Sequence, residues 1–138
     1  MSKKNLILPN DVQEVPKLAA FVDEVCEAVG MDMSTTMQMN LAIEEAVVNV
    51  MEYAYPQGET GEVTIEVSVA DGLLDINIID SGAPFDPTQK SDPDTSLPVE
   101  ERSIGGLGIF LVRQVMDTVS YRRDNGKNIL TFTKNIKM

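Results

Sequence analysis

Hydrophobic and polar positions alternate along this chain with two different periods, and the switches between them mark its elements. From Glu62 to Ala70 the period is two, with Val63, Ile65, Val67 and Val69 on one face. Leu73 to Ile79 repeats the pattern, with Leu74, Ile76 and Ile78 set against Asp75 and Asn77. Asp71-Gly72 between the two runs predicts a hairpin turn. A second hairpin is predicted from Val119 to Arg123 and Ile129 to Lys134, around Asp124-Asn125-Gly126. Asn5 to Leu8 reads as a short strand stopped by Pro9. Elsewhere the period is helical. Asp11 can cap a helix reaching about Val29, with Pro16 near its first turn and Gly30 ending it. Ser34 offers a cap to a second helix reaching about Tyr55, closed by Pro56, Gln57 and Gly58. Ile109 to Met116 reads as a buried third helix. Between Ser81 and Ile104 the periodicity lapses, with Pro84, Pro87, Pro93 and Pro98 among Asp and Ser; such a length without periodicity is usually functional. The order β-α-α-β-β-loop-α-β-β predicts an α+β domain. It would be a two-layer α/β sandwich, with a mixed, mostly antiparallel sheet and helices on one face.

Composition narrows the function. The chain has 138 residues, 43% of them hydrophobic, which suits one domain with a real core. Lys plus Arg number 11 and Asp plus Glu 22, a net charge of −11. That balance argues against direct nucleic-acid contact and against anionic membranes, both of which need a basic face. The absence of His excludes Ser-His-Asp and Cys-His catalysis and a self-borne phosphoacceptor histidine. The one cysteine, Cys26, lies among Phe21, Val22, Val25 and Val29 and reads as a small buried hydrophobe. The N-terminal apolar run is too short for a signal peptide, and no stretch approaches the roughly 20 apolar residues of a membrane span. A soluble cytoplasmic protein is expected.

Three places carry candidate chemistry. On the second helix, Met39, Ile43, Ala46, Val50 and Ala54 share one stripe that should face the sheet. Gln38, Glu45, Asn49 and Glu52 fall in an adjoining sector about 60° wide, while Glu44 projects to the far side and should be solvated. An Asn beside the apolar stripe can offer its amide oxygen to a hard cation. A Glu one turn away can take a proton from an attacking hydroxyl or water. At the end of the second hairpin strand, Asp80-Ser81-Gly82 combines a carboxylate with a turn that brings backbone close to a flat ligand. Such a carboxylate can accept from an exocyclic amine. Lastly, Gly105-Gly106-Leu107-Gly108 before a helix exposes N–H groups at its positive end, a cradle for phosphate. It is neither a Walker A motif nor a Rossmann fingerprint. Arg102 just ahead can stabilise charge on a terminal phosphate. Read singly, these are a polar helix flank, an Asx turn and an ordinary surface arginine. Together they describe one nucleotide site.

In this order the motifs resemble the GHKL superfamily of ATP-binding domains, which includes gyrase and histidine kinases. Glu45-x-x-x-Asn49 looks like its N box, Asp80-x-Gly82 its G1 box and Gly106-x-Gly108 its G2 box. The segments LAIEEAVVNVMEYAYP, DSGAPFDP, ERSIGGLGIFLVRQVMDTVSY and GKNILTFTK are most similar to the small anti-sigma-factor serine/threonine kinases of bacteria. The likeness runs from about Leu6 to Lys134. It implies the Bergerat ATP-binding fold and roles at matching positions. Asn49 would ligate Mg²⁺ bridging the phosphates of ATP, and Glu45 would be general base toward a substrate serine. Asp80 would bind the adenine amine, with Gly82 supporting the pocket. Gly106, Leu107 and Gly108 would cradle phosphates beneath an ATP lid from about Asp86 to Ile104, and Arg102 would touch the terminal phosphate. Many relatives have His where this chain has Tyr53, which would contact phosphate or water differently. The implied substrate is a serine on an anti-anti-sigma (STAS-domain) protein, the implied client a sigma factor, and the implied assembly a homodimer. Two other readings stay open: a nucleotide-responsive partner-binding module with little or no kinase activity, and a histidine-kinase catalytic domain acting in trans.

Overall fold

A computed structural model describes residues 2–55, 59–86 and 106–136, with the backbone alone at residues 2 and 106–110. Strand β1 (Ser2–Pro9) leads through a 3₁₀ turn (Val12–Glu14) into helices α1 (Val15–Ala28) and α2 (Met33–Tyr53). Strands β2 (Glu62–Ala70) and β3 (Leu73–Asp80), helix α3 (Gly106–Val115) and strands β4 (Thr118–Asp124) and β5 (Lys127–Asn135) follow. The strands form one sheet in the order β1-β2-β3-β5-β4. Each described pairing is antiparallel, so the sheet contains no parallel pair among its described strands.

The period-two pattern sets which face is covered. Val63, Ile65 and Val67 of β2 and Leu74, Ile76 and Ile78 of β3 are buried, and they share a core with Leu18, Val22, Met39, Ile43 and Val47 from the helices. Ile65 lies opposite Ile78, and Ile76 lies between Val67 and Phe132. Each such aliphatic side chain contributes about 1.5–3 kcal/mol on burial. The alternate residues Glu62, Glu66 and Leu73 point away from this core and are exposed. Both predicted hairpin turns are present: Asp71 and Gly72, like Asn125 and Gly126, take positive φ, the geometry a two-residue hairpin needs.

Two helix starts differ from the sequence expectation. Asp32, not Ser34, caps α2, its carboxylate accepting from Thr35 N at 2.7 Å. This hydrogen bond holds the Asp32 carboxyl below its ordinary pKa, which favours the charged form at the positive end of the helix. Asp11 does cap, but it caps the 3₁₀ turn, accepting from Gln13 N at 2.9 Å; α1 proper begins at Val15, with Pro16 in its first turn. Cys26 is fully buried and burial pushes its thiol pKa up, as suits an inert core residue. No helix of the described residues is long and apolar enough to cross a membrane.

Candidate functional site

Asp80 ends β3 on the covered face, in phase with buried Leu74, Ile76 and Ile78, and is 2% exposed. One of its carboxylate oxygens is well served. Oδ1 accepts from Gly82 N at 2.8 Å and from Asn128 Nδ2 at 2.9 Å. The other, Oδ2, is buried with no hydrogen-bond partner among the described residues. A buried acceptor left unmatched is costly and is rare in native proteins. Burial pushes the Asp80 pKa above its ordinary value, against the hydrogen bonds from Asn128 and Gly82 and the nearby charge of Arg123. The site therefore holds a carboxylate oxygen that calls for a donor.

The turn after Asp80 is fastened to the end of α2. Ala83 N donates to Ala54 O at 2.7 Å. Tyr55 Oη accepts from Ser81 N at 2.9 Å and donates to Glu62 O at 2.7 Å. Gly82 packs so tightly that a Cβ there would lie 2.2 Å from Ala54 O, which explains glycine at that position without reference to a ligand. Arg123 Nη1 donates to Gly82 O at 2.8 Å. A cleft of about 570 Å³ also touches this turn, but its lining by Glu62, Thr64, Ile79 and Lys127 places it against the opposite face of the sheet from the helices. Asp80 and the turn itself also line it.

On α2 the expected stripe is buried: Met39, Ile43, Ala46, Val50 and Ala54 are all in the core. The two neighbouring glutamates are not as projected. Glu45 is exposed, whereas Glu44, expected to be the solvated one, is half-buried. The buried arc is wider than the stripe on both sides: Val47 and Met51 lie toward the flank that α1 covers, where Asn40 Nδ2 donates to Asp23 Oδ1 at 2.7 Å, and Ala42 lies on the other. Glu44 lies one turn beyond Asn40 on that flank. Asn49 is 6% exposed, a buried amide one turn from Glu45. Tyr53 is 39% exposed and stacks on Phe85, with ring centroids 5.7 Å apart. The structure thus brings the end of α2 together with the segment that follows Asp80.

Gly106, Leu107 and Gly108 form the first turn of α3, which starts three residues earlier than the sequence suggested. The first N–H groups of a helix lack intrahelical acceptors, so this position keeps its donors available. α3 packs against α2. Arg102, and the expected lid apart from Asp86, lie outside the described residues.

Sequence reasoning missed Asn128, Tyr55 and Arg123. Asn128 is buried and contacts Asp80 from a strand 48 positions away. Its only signal in sequence was a polar residue at the start of an otherwise apolar strand run.

Comparison with known proteins decides the family. Residues 8–134 match the model of the histidine kinase-like ATPase domain. The chain belongs to that family. A protein of Bacillus cereus named serine-protein kinase RsbW is 30% identical over 132 residues, covering 93% of this chain and 82% of the relative. Its namesake in Listeria monocytogenes is 28% identical, covering 93% and 84%. Among solved structures, the RsbU and RsbW domains of a Mycobacterium tuberculosis protein superpose with a TM-score of 0.69 at 17% identity, over 99% of this chain and 33% of that one. The histidine kinase domain of a blue-light activated kinase of Erythrobacter litoralis superposes at 0.56 and 15% identity, over 94% of this chain and 62% of that one. These likenesses place the fold among kinase ATPase domains.

Proposed function

We propose that this protein is an ATP-dependent protein-serine/threonine kinase that doubles as an anti-sigma factor. Its substrate would be a serine of an anti-anti-sigma STAS protein, and its client a sigma factor. The single observation that carries nucleotide binding is the unmatched Asp80 Oδ2, because an adenine 6-amino group is the donor it lacks. Family membership and the RsbW relatives carry the step from nucleotide binding to kinase activity.

Each candidate residue has its role in this reading. Asp80 accepts from the base, and Gly82 lets the turn seat against α2. The first turn of α3, with Gly106, Leu107 and Gly108, offers backbone donors to phosphate. Asn49 would offer one amide oxygen to Mg²⁺. Among the described residues no group of three His, Cys, Asp or Glu could hold a metal by itself. A magnesium ion commonly takes its remaining ligands from phosphate and water, and bound there it would neutralise charge between the phosphates. Tyr53 flanks this end, held by its stack on Phe85. Glu45, exposed one turn from Asn49, is open to a protein hydroxyl and acts as general base. Arg102, within a lid spanning about 86–104, stabilises charge on the transferred group. The chain works as one domain, as a homodimer in the cytoplasm.

The test is incubation with γ-labelled ATP and a purified STAS-domain protein. Label on a serine of that protein is the expected result. ATP binding in calorimetry without any transfer would instead favour a nucleotide-responsive binding module.

A further inference from the structure

Asn128 sits at the start of β5, 3% exposed, with every hydrogen-bonding position of its amide occupied. Nδ2 donates to Asp80 Oδ1 at 2.9 Å and to Ala83 O at 2.8 Å. Oδ1 accepts from Tyr121 Oη at 2.5 Å and from Phe85 N at 3.1 Å. Two acceptors on one side and two donors on the other set the orientation of the amide, since the flipped form would turn a carbonyl toward the Asp80 carboxylate. Asp80 Oδ1 is thereby committed to two donors, from Asn128 and Gly82, and the carboxylate cannot turn to exchange its oxygens. Oδ2 remains, buried and unmatched among the described residues.

We propose that Asn128 is the positioning residue for purine selectivity: by holding Asp80 Oδ1 it leaves a single fixed acceptor for the base, which takes a 6-amino purine and rejects a 6-oxo purine. The inference rests on the nucleotide-binding reading above and goes beyond it by naming what sets the choice of base. A 6-amino group brings an N–H to Oδ2. A 6-oxo group brings lone pairs to the same point, and a buried acceptor facing an acceptor leaves both unmatched. The same amide grips Ala83 and Phe85, and Phe85 stacks on Tyr53. Recognition of the base is thus tied to the position of the α2 end of the site.

The test compares ATP with inosine triphosphate, which differs at position 6, by calorimetry on the intact protein. The wild type should prefer ATP by roughly tenfold or more. Asn128→Asp keeps the size of the side chain but replaces the Nδ2 donor on Asp80 Oδ1 by a second carboxyl, and two carboxylates side by side favour protonation of one of them. Released from its donor, Asp80 can carry that proton on Oδ2 and present an O–H to a 6-oxo group, and the preference should shrink by about tenfold. A residue with only a structural role would lower the melting temperature and weaken both nucleotides by the same factor. Tyr121→Phe removes one hydroxyl from the network and retains the ring. It decides the matter should Asn128→Asp not fold, and should lower the preference about two- to fivefold. An unchanged ATP-to-inosine-triphosphate ratio in the folded variants would overturn the proposal, as would a wild type with no preference. A wild type that binds neither nucleotide would overturn the nucleotide-binding reading itself.

Discussion

Asp80 on β3 and Glu45 on α2 are both carboxylates assigned to the same nucleotide, yet their surroundings are opposite. Asp80 is 2% exposed and held by a strand, a turn and a second strand. Glu45 is exposed on its helix. The end of the site assigned to the base is built in advance, with one acceptor oxygen kept for the ligand. The end assigned to chemistry stays open, as a kinase acting on another protein requires, because the second substrate must supply the hydroxyl and complete the surroundings of the base. On the proposed assignment, fixed recognition and open chemistry are divided between the sheet and the helix.

The largest expected effect breaks the open end. Glu45→Gln should lower phosphotransfer by roughly 10²–10⁴-fold while leaving ATP affinity nearly unchanged, read by label transfer beside calorimetry. If affinity fell in parallel with transfer, Glu45 would belong to binding, and the division between the two ends would fail. Next, Asp80→Asn should weaken ATP by roughly 10–100-fold with the fold retained, since it replaces a charged acceptor by an amide. Circular dichroism and calorimetry would check the two halves of that statement.

A titration sharpens the same contrast. Burial raises the Asp80 pKa above 3.8, so lowering pH through the raised value protonates the acceptor and should weaken ATP by up to about tenfold per unit. Stability should run the other way. A carboxyl with its pKa raised in the folded state binds its proton more readily folded than unfolded, so over that window the ligand-free fold gains stability as pH falls. Asp80→Asn should remove this contribution to the pH dependence of melting. The smallest effect is structural. Tyr55→Phe removes the hydroxyl that bridges Ser81 N and Glu62 O, and should cost about 1–2 kcal/mol, seen as a drop of several degrees in melting temperature.

Strands β2, β3 and β4 were legible to within about a residue, because period two survives wherever one face of a sheet is covered: Glu62–Ala70 is both the predicted and the observed span of β2, whereas β1 starts at Ser2 rather than Asn5 and β5 at Lys127 rather than Ile129. The hairpins were legible because Asp71-Gly72 and Asn125-Gly126 tolerate positive φ. Helix starts were less so. Asp32 and Ser34 are both good caps, and which one closes the first turn depends on where the chain leaves α1. Glu44 and Glu45 were misjudged for a related reason, since helical projection gives angles but not which flank a neighbouring helix covers.

By itself the sequence determined the alternation of elements, the α+β class and the three motifs that name Glu45, Asn49, Asp80 and the glycines of α3. Those depend on spacing within short segments, where the geometry of a turn or a pleat is local. Only the tertiary structure decided that Asn128 reaches Asp80, that Tyr55 ties the end of α2 to β2 and β3, and that Asp80 has one oxygen satisfied and one unmatched. Those facts depend on β5 being laid beside β3 by the packing of the whole sheet, and no local pattern encodes a partner 48 residues away.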